Sequence, residues 1–321
     1  MKNSLNIIAE IAQGFEGNFE QSKLLIKAAA KAGADSVKFQ LVYADELATV
    51  DYQYYTLFKE LEMEEEQWKL LKDYASSLGT QLMVDVFGDK SLSTAQNIGI
   101  NTIKVHGTDV TNLGLLEAIS NSSIEKVILG VGGAYWGEIE QAIKVLKNKH
   151  LILLCGFQGY PTRTEDNHIL RMNVIKEKAI AIHPNFQMGF ADHPGEEQFA
   201  STISLVALGA GAKVIEKHIT LNENSKGPDH SASLNSKDFK IMVEKIRNIE
   251  KAMGTGVKII SPSEKKNISL IRKSIFAKID IKKGEYFNET NITLKRPAGG
   301  LPPIYWEKVI NKKAKKYFRK D

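Results

Sequence analysis

The chain has 321 residues, 43% hydrophobic and 25% charged, which is enough length and apolar content for one large domain and a small one. Its 43 basic and 38 acidic residues leave a net charge of +5. Much of that excess lies in the tail from Lys308 onward, which reads as a solvated face rather than a nucleic-acid surface. A single cysteine, Cys155, excludes an internal disulfide, and no apolar run is long enough to span a membrane. With no signal-peptide pattern at Met1–Ser4, a cytoplasmic protein without membrane contact is expected.

Eight short apolar runs follow one another. They begin near Asn6 (NIIAEIA), Asp35 (DSVKFQL), Gln81 (QLMVDVF), Thr102 (TIKVHG), Lys126 (KVILGVG), His150 (HLILLCGF), Phe186 (FQMGFAD) and Lys213 (KVIEKHIT). Amphipathic segments lie between them, among them Phe19–Ala32, Glu65–Leu78, Trp136–Lys147 and Glu196–Leu208, and Lys237–Met253 follows the last run. Eight alternating units with β-branched strands predict a parallel (β/α)8 TIM barrel. A doubly wound open sheet would usually show a GxGxxG turn after its first strand. Here that stretch is Ala12-Gln13-Gly14-Phe15-Glu16-Gly17, which does not match.

In such a barrel the chemistry sits where strands end. The polar residues there are Glu10, Lys38 and Gln40, Asp85, Lys104 and His106, Gln158 and Tyr160, Asp192 and His193, Glu216 and His218. Strand period two puts Lys38 with Gln40, Lys104 with His106, and Glu216 with His218 on shared faces. Two lysines aimed into one cleft predict an anionic substrate, unless each pairs with a carboxylate such as Glu10 or Asp192. His193 and His218 end consecutive runs. Side by side they would suit a divalent metal; apart, each would be a structural histidine with a backbone partner. Ala44–Lys59, dense in aromatics, reads equally as a lid or as packing. Cys155 reads as a core thiol.

After Met253 the text changes. Gly254-Thr255-Gly256 and Ser261-Pro262-Ser263 mark a connector, followed by short β-like runs with turns at Lys282–Gly284 and Pro297–Gly300. The expected organisation is a barrel over 1–255, a linker over 256–270 and a β-rich cap over 271–321. So small a cap needs a neighbour to pack against.

Several of these stretches carry a resemblance. IIAEIA at Ile7–Ala12, AGADSVKFQ at Ala32–Gln40, ADHP at Ala191–Pro194, ALGAGAKVIEKHITL, and GPDH at Gly227–His230 resemble the sialic acid synthases. That family includes N-acetylneuraminate synthase and its legionaminate and pseudaminate relatives. PSEKKN at Pro262–Asn267 is similar to its connector, and the segment from Arg272 to Gly300 resembles its antifreeze-like (SAF) domain. The resemblance implies a metal-dependent enzyme, typically using manganese. Such an enzyme condenses phosphoenolpyruvate with the open aldehyde of an N-acylated amino sugar to give a nonulosonic acid. C3 of the enol attacks the aldehyde, water adds at C2, and phosphate leaves. It further implies metal ligation by His193 and His218, a water-associated acid at Glu10, and donor-binding lysines at Lys38 and Lys104. Gln40, Tyr160 and Asp229 would lie on the sugar side. Arg296 would reach the acyl group from the partner subunit of a domain-swapped homodimer.

The departures cluster at the donor. Where the family carries STPF, SGD or SGE, STGM, HC and SDH, this chain has Val84–Phe87, Gly107–Asp109, Gly130–Gly133, Cys155-Gly156 and Ala191–His193, and Gln158 replaces an asparagine. Asp85 puts a negative charge where a hydroxyl would receive phosphate. Gly130–Gly133 as a backbone nest and Thr108 as a hydroxyl are the available replacements. The antifreeze-like segment also reaches Asp321 earlier than in the family. Three functions remain open: a synthase with a rearranged phosphate site, a metal-dependent aldolase-type enzyme with another donor, and a non-catalytic sugar-binding protein. The retained histidines and Arg296 weigh against the last.

Overall fold

The computed structural model describes residues 5–156, 159, 161–193, 201–222 and 230–321. Eight strands run in parallel in chain order: β1 (Asn6–Ala12), β2 (Ser36–Gln40), β3 (Gln81–Val86), β4 (Thr102–Val105), β5 (Lys126–Gly130), β6 (His150–Cys155), β7 (Phe186–Asp192) and β8 (Val214–Thr220). Pairing of β1 with β8 closes them into a barrel. Each strand begins within a residue of its apolar run. The (β/α)8 expectation holds because strands buried on both faces read as near-continuous β-branched runs.

Alternation divides the side chains between two compartments. Ile8, Met83, Ile128, Ile152, Leu154, Ala191 and Val214 form an apolar cluster inside the barrel. Ile7, Ala9, Val37 and Phe39 face outward into the larger core beneath the helices. There Phe15, Phe39 and Trp68 meet edge to face, with centroids 5.5–5.7 Å apart. The covering helices are amphipathic. Helix α1 (Phe19–Ala32) starts where Asn18 accepts from the Gln21 N–H, and it stops at Gly33, whose φ of 90° suits a residue without Cβ.

Helices α2 (Ala44–Leu47) and α3 (Tyr55–Glu60) carry the aromatic stretch. In it Tyr52 meets both Tyr54 and Phe58, so at least part of the segment packs on itself. Then come α4 (Glu65–Ser77), α5 (Asp89–Asn97), α6 (Leu113–Asn121), α7 (Trp136–Val145), α8 (Arg171–Ala179), α9 (Thr202–Gly209) and α10 (Ser236–Met253). The first half of the helix expected over Glu196–Leu208 lies largely outside the described residues.

The chain divides into two compact units, residues 1–253 and 254–321. Within the second, the connector contains a helix, α11 (Pro262–Ile271). The sequence alone marks Ser261-Pro262-Ser263 only as part of a connector. Ser261 and Glu264 instead form a reciprocal capping box, with Pro262 in the first turn. Beyond it, β9 (Ser274–Ala277) and β10 (Ile292–Lys295) pair antiparallel around a small core of Ile281, Ile292 and Ala314. The units differ in charge: residues 1–253 hold 26 Lys and Arg against 32 Asp and Glu, and residues 254–321 hold 17 against 6.

Candidate active site

Inward-facing positions at the C-terminal ends of β1, β2, β3, β4 and β8 bring five charged side chains together. Lys38, wholly buried, contacts Glu10, lies 2.6 Å from Asp85 Oδ1 and 3.7 Å from Glu216 Oε2. Lys104 lies 2.6 Å from Glu216 Oε1 and 3.9 Å from Glu10 Oε2. Both lysines of the expected anion site therefore already have carboxylate partners. Glu10 is one of the two carboxylates anticipated for this role. Asp192, the other, does not fill it: it belongs to the other face of β7, where it pairs with Lys217.

Burial sets the protonation of this cluster. It pushes the Glu10 carboxyl up; Lys38 opposes the rise, Glu216 and Asp85 add to it, and the result is about 8. Glu216 is equally buried, yet Lys104 and Lys38 hold its carboxyl well below the usual range. Burial disfavours the Lys38 ammonium, but Asp85, Glu10 and Glu216 outweigh that and keep it charged well above the ordinary lysine range. One oxygen of Asp85, Oδ2, is buried without a hydrogen-bond partner.

The backbone at Glu10 is unusual. Register with β2 shifts between Glu10 and Ala12, a bulge that leaves Ala12 at φ 51°. This turns the Ala12 N–H onto Glu10 Oε1 at 2.8 Å. Gln40, half-buried, accepts from Gln13 Nε2 at 2.9 Å.

His193 and His218 do come together. Both are almost fully buried, and their ring centroids lie 5.3 Å apart at a tilt of 59°. Burial, with His193 beside it, holds His218 well below the ordinary histidine range, so it carries the neutral imidazole a metal requires. Among the described residues no group of three or more His, Cys, Asp or Glu is arranged to hold a metal. Two adjacent neutral imidazoles are nitrogen donors of the kind a divalent cation takes, and the rest of its shell would have to come from water or substrate.

Tyr160, Asp229 and Gln158 lie outside the described residues. Arg296 is exposed in the second unit, directly after β10. The replacements proposed for the phosphate cradle fare unevenly. Thr108 is exposed, with its hydroxyl 3.0 Å from His106 Nδ1 and donating to Asp109. A Cβ on Gly130 would sit 2.8 Å from the Gly107 nitrogen, so this glycine serves a close backbone approach. Gly156 and Ala191 also abut: a Cβ on Gly156 would lie 3.0 Å from that of Ala191. Sequence reasoning noted Glu216 only as a polar strand end. Its partner Lys104 is 112 residues away, a proximity no local pattern announces.

Comparison with known proteins agrees with this architecture. A NeuB family profile matches residues 25–258 and a SAF domain profile matches residues 272–321. The chain is 38% identical over 313 residues to an uncharacterized protein of Methanocaldococcus jannaschii, covering 96% of this chain and 90% of that one. It is 36% identical over 340 residues to the N,N'-diacetyllegionaminic acid synthase of Campylobacter jejuni, covering 100% and 98%. Among solved structures, the N-acetylneuraminic acid synthetase of Leptospira borgpetersenii, in complex with citrate, superimposes with a TM-score of 0.75 at 28% identity. That match covers 83% of this chain and 90% of that one.

Proposed function

The chain belongs to the NeuB family of carbon–carbon bond-forming synthases and ends in a SAF domain, and on that premise we propose that it condenses phosphoenolpyruvate with the open aldehyde of an N-acylated amino sugar to give a nonulosonic acid in the cytoplasm. The observation that carries this reading is the convergence of Glu10, Lys38, Lys104 and the His193–His218 pair at one end of the barrel. C3 of the donor bonds to the aldehyde carbon, water adds at C2, and phosphate departs.

Lys104 is slightly exposed and Lys38 is not, so Lys104 meets an entering anion first. Burial raises the Glu10 carboxyl far above the usual carboxylate range, which favours its protonated form. Glu10 is therefore a proton donor to an oxygen bound beside it, and a base toward water only after that proton is given up. A divalent cation, manganese in the family's typical case, would be held by His193 and His218 and supplies polarisation of the aldehyde oxygen. Gln40, Tyr160 and Asp229 are assigned to the sugar, and Arg296 to the acyl group of the partner subunit's substrate in a swapped homodimer.

The test is turnover of purified protein with Mn²⁺, phosphoenolpyruvate and N-acylated hexosamines, read as phosphate and product mass. Phosphate equimolar with product is expected, and loss of both in His193→Ala and His218→Ala. A new sugar acid without phosphate release would refute the donor.

A second reading, aldolase-type chemistry with an unphosphorylated donor such as pyruvate, is favoured by one contact, Lys38 to Asp85. A phosphate reaching Lys38 must approach this carboxylate. At ~4 Å and an effective dielectric of about 20, two unit charges repel by about 4 kcal/mol. Calorimetry separates the readings. If Asp85 excludes phosphate, wild type binds phosphoenolpyruvate weakly and Asp85→Thr binds it tighter; tight wild-type binding leaves the synthase reading alone.

A further inference from the structure

Behind the barrel wall, opposite the histidines, lies a second ion pair that the chemistry above does not use. Ala191 and Glu216 face inward, so their neighbours Asp192 and Lys217 face outward. Both are wholly buried, they are register partners across β7 and β8, and Lys217 Nζ lies 3.1 Å from Asp192 Oδ1. The other oxygen, Oδ2, accepts from the Ser204 hydroxyl on α9. The Ser204 hydroxyl also lies 3.8 Å from Met242 Sδ on α10.

Such a pair is a poor way to gain stability. Removing both charges from water consumes most of their attraction, and well-packed apolar replacements are often as stable. What the pair adds is direction. Asp192 precedes His193 and Lys217 precedes His218, so each partner is bonded through the backbone to one of the paired imidazoles. The ion pair fixes one strand end against the other, and Ser204 fixes Asp192 to the helix layer.

We infer that Asp192, Lys217 and Ser204 are positioning residues, which set the separation and aim of the His193 and His218 imidazoles so that they hold one divalent cation. This rests on the metal reading given above. Outer partners that orient metal ligands commonly affect affinity by about 10- to 100-fold.

The test measures Mn²⁺ affinity by electron paramagnetic resonance of free Mn²⁺, alongside thermal unfolding of the metal-free protein. Two variants are compared with wild type: the apolar double change Asp192→Leu with Lys217→Met, and the milder Ser204→Ala. The double variant is expected to melt near wild type yet bind Mn²⁺ at least about 10-fold more weakly; Ser204→Ala is expected to lose several-fold. Wild-type affinity in a folded double variant overturns the inference and leaves the metal reading intact. Should the double variant not fold, Ser204→Ala decides alone, and unchanged affinity there overturns it. A wild type that binds no Mn²⁺ overturns the metal reading itself, and the inference with it.

Discussion

Glu10 shows how a single residue ties the site to pH. Its carboxyl is raised from 4.5 to about 8 by burial, so the folded state binds a proton that the unfolded state releases. The resulting stability is fully present below pH 4.5 and is lost as pH rises through about 8. His218 and His106 have the opposite sign: burial lowers both, so their contribution is lost as pH falls below 6.5. The histidine contribution is common to wild type and Glu10→Gln, so comparing the two isolates the carboxyl. Metal-free wild type is expected to lose stability between pH 6.5 and 8 relative to Glu10→Gln. Urea midpoints at four pH values check this, and parallel curves for the two proteins would contradict it. Much of the cluster's membership was legible in the sequence, because polar residues at the ends of buried strands stand out. Who pairs with whom was not. Asp192 was offered as a partner for the cleft lysines, although strand alternation already sends it outward once Ala191 faces in.

Elements were read more reliably than contacts. Eight strands and most of the helices followed from apolar period and run length, because the barrel repeats one local pattern. Helix α11 was missed because Ser-Pro-Ser suits a connector and a helix start equally well, and only Glu264 three residues on separates them. Glycines between elements divide in the same way. Gly130, at the end of β5, abuts the Gly107 backbone after β4, whereas a Cβ on Gly137 in α7 would meet nothing within 4 Å. Gly130→Ala is expected to cost about 1–3 kcal/mol. Gly137→Ala, in the first turn of α7 with open space around the added Cβ and no positive φ, is expected to gain about 0.4–1 kcal/mol. Denaturant titration of both checks the contrast. Equal effects would mean that the junction of β4 and β5 yields more easily than its spacing implies.

For the whole molecule, the assembly prediction concerns Arg296. If it serves a neighbour's barrel, a subunit with Arg296→Ala and one with His193→Ala each lack a different half of one site. Mixed after unfolding and refolding together, they should recover up to about a quarter of wild-type turnover per subunit, the share expected from random pairing of one intact site per heterodimer. A monomeric wild type, or no recovery in a mixture shown to contain heterodimers, would place Arg296 outside the site. The two units carry charge of opposite sign, 26 basic against 32 acidic residues over 1–253 and 17 against 6 over 254–321.

That same unevenness has a consequence for how the protein behaves as a solute. A chain carrying opposite charge on its two parts attracts its own kind even where its net charge is small, and that attraction is strongest when no ions screen it. Near its pI of 8.9 the protein should be least soluble in dilute buffer and should salt in as ionic strength rises. Light scattering at pH 8.9 between about 10 and 150 mM salt, over which the screening length falls from about 30 to about 8 Å, should show large species dispersing. A protein cut back to residues 1–253, if it remains folded, should lose this dependence, because only one sign of charge then predominates.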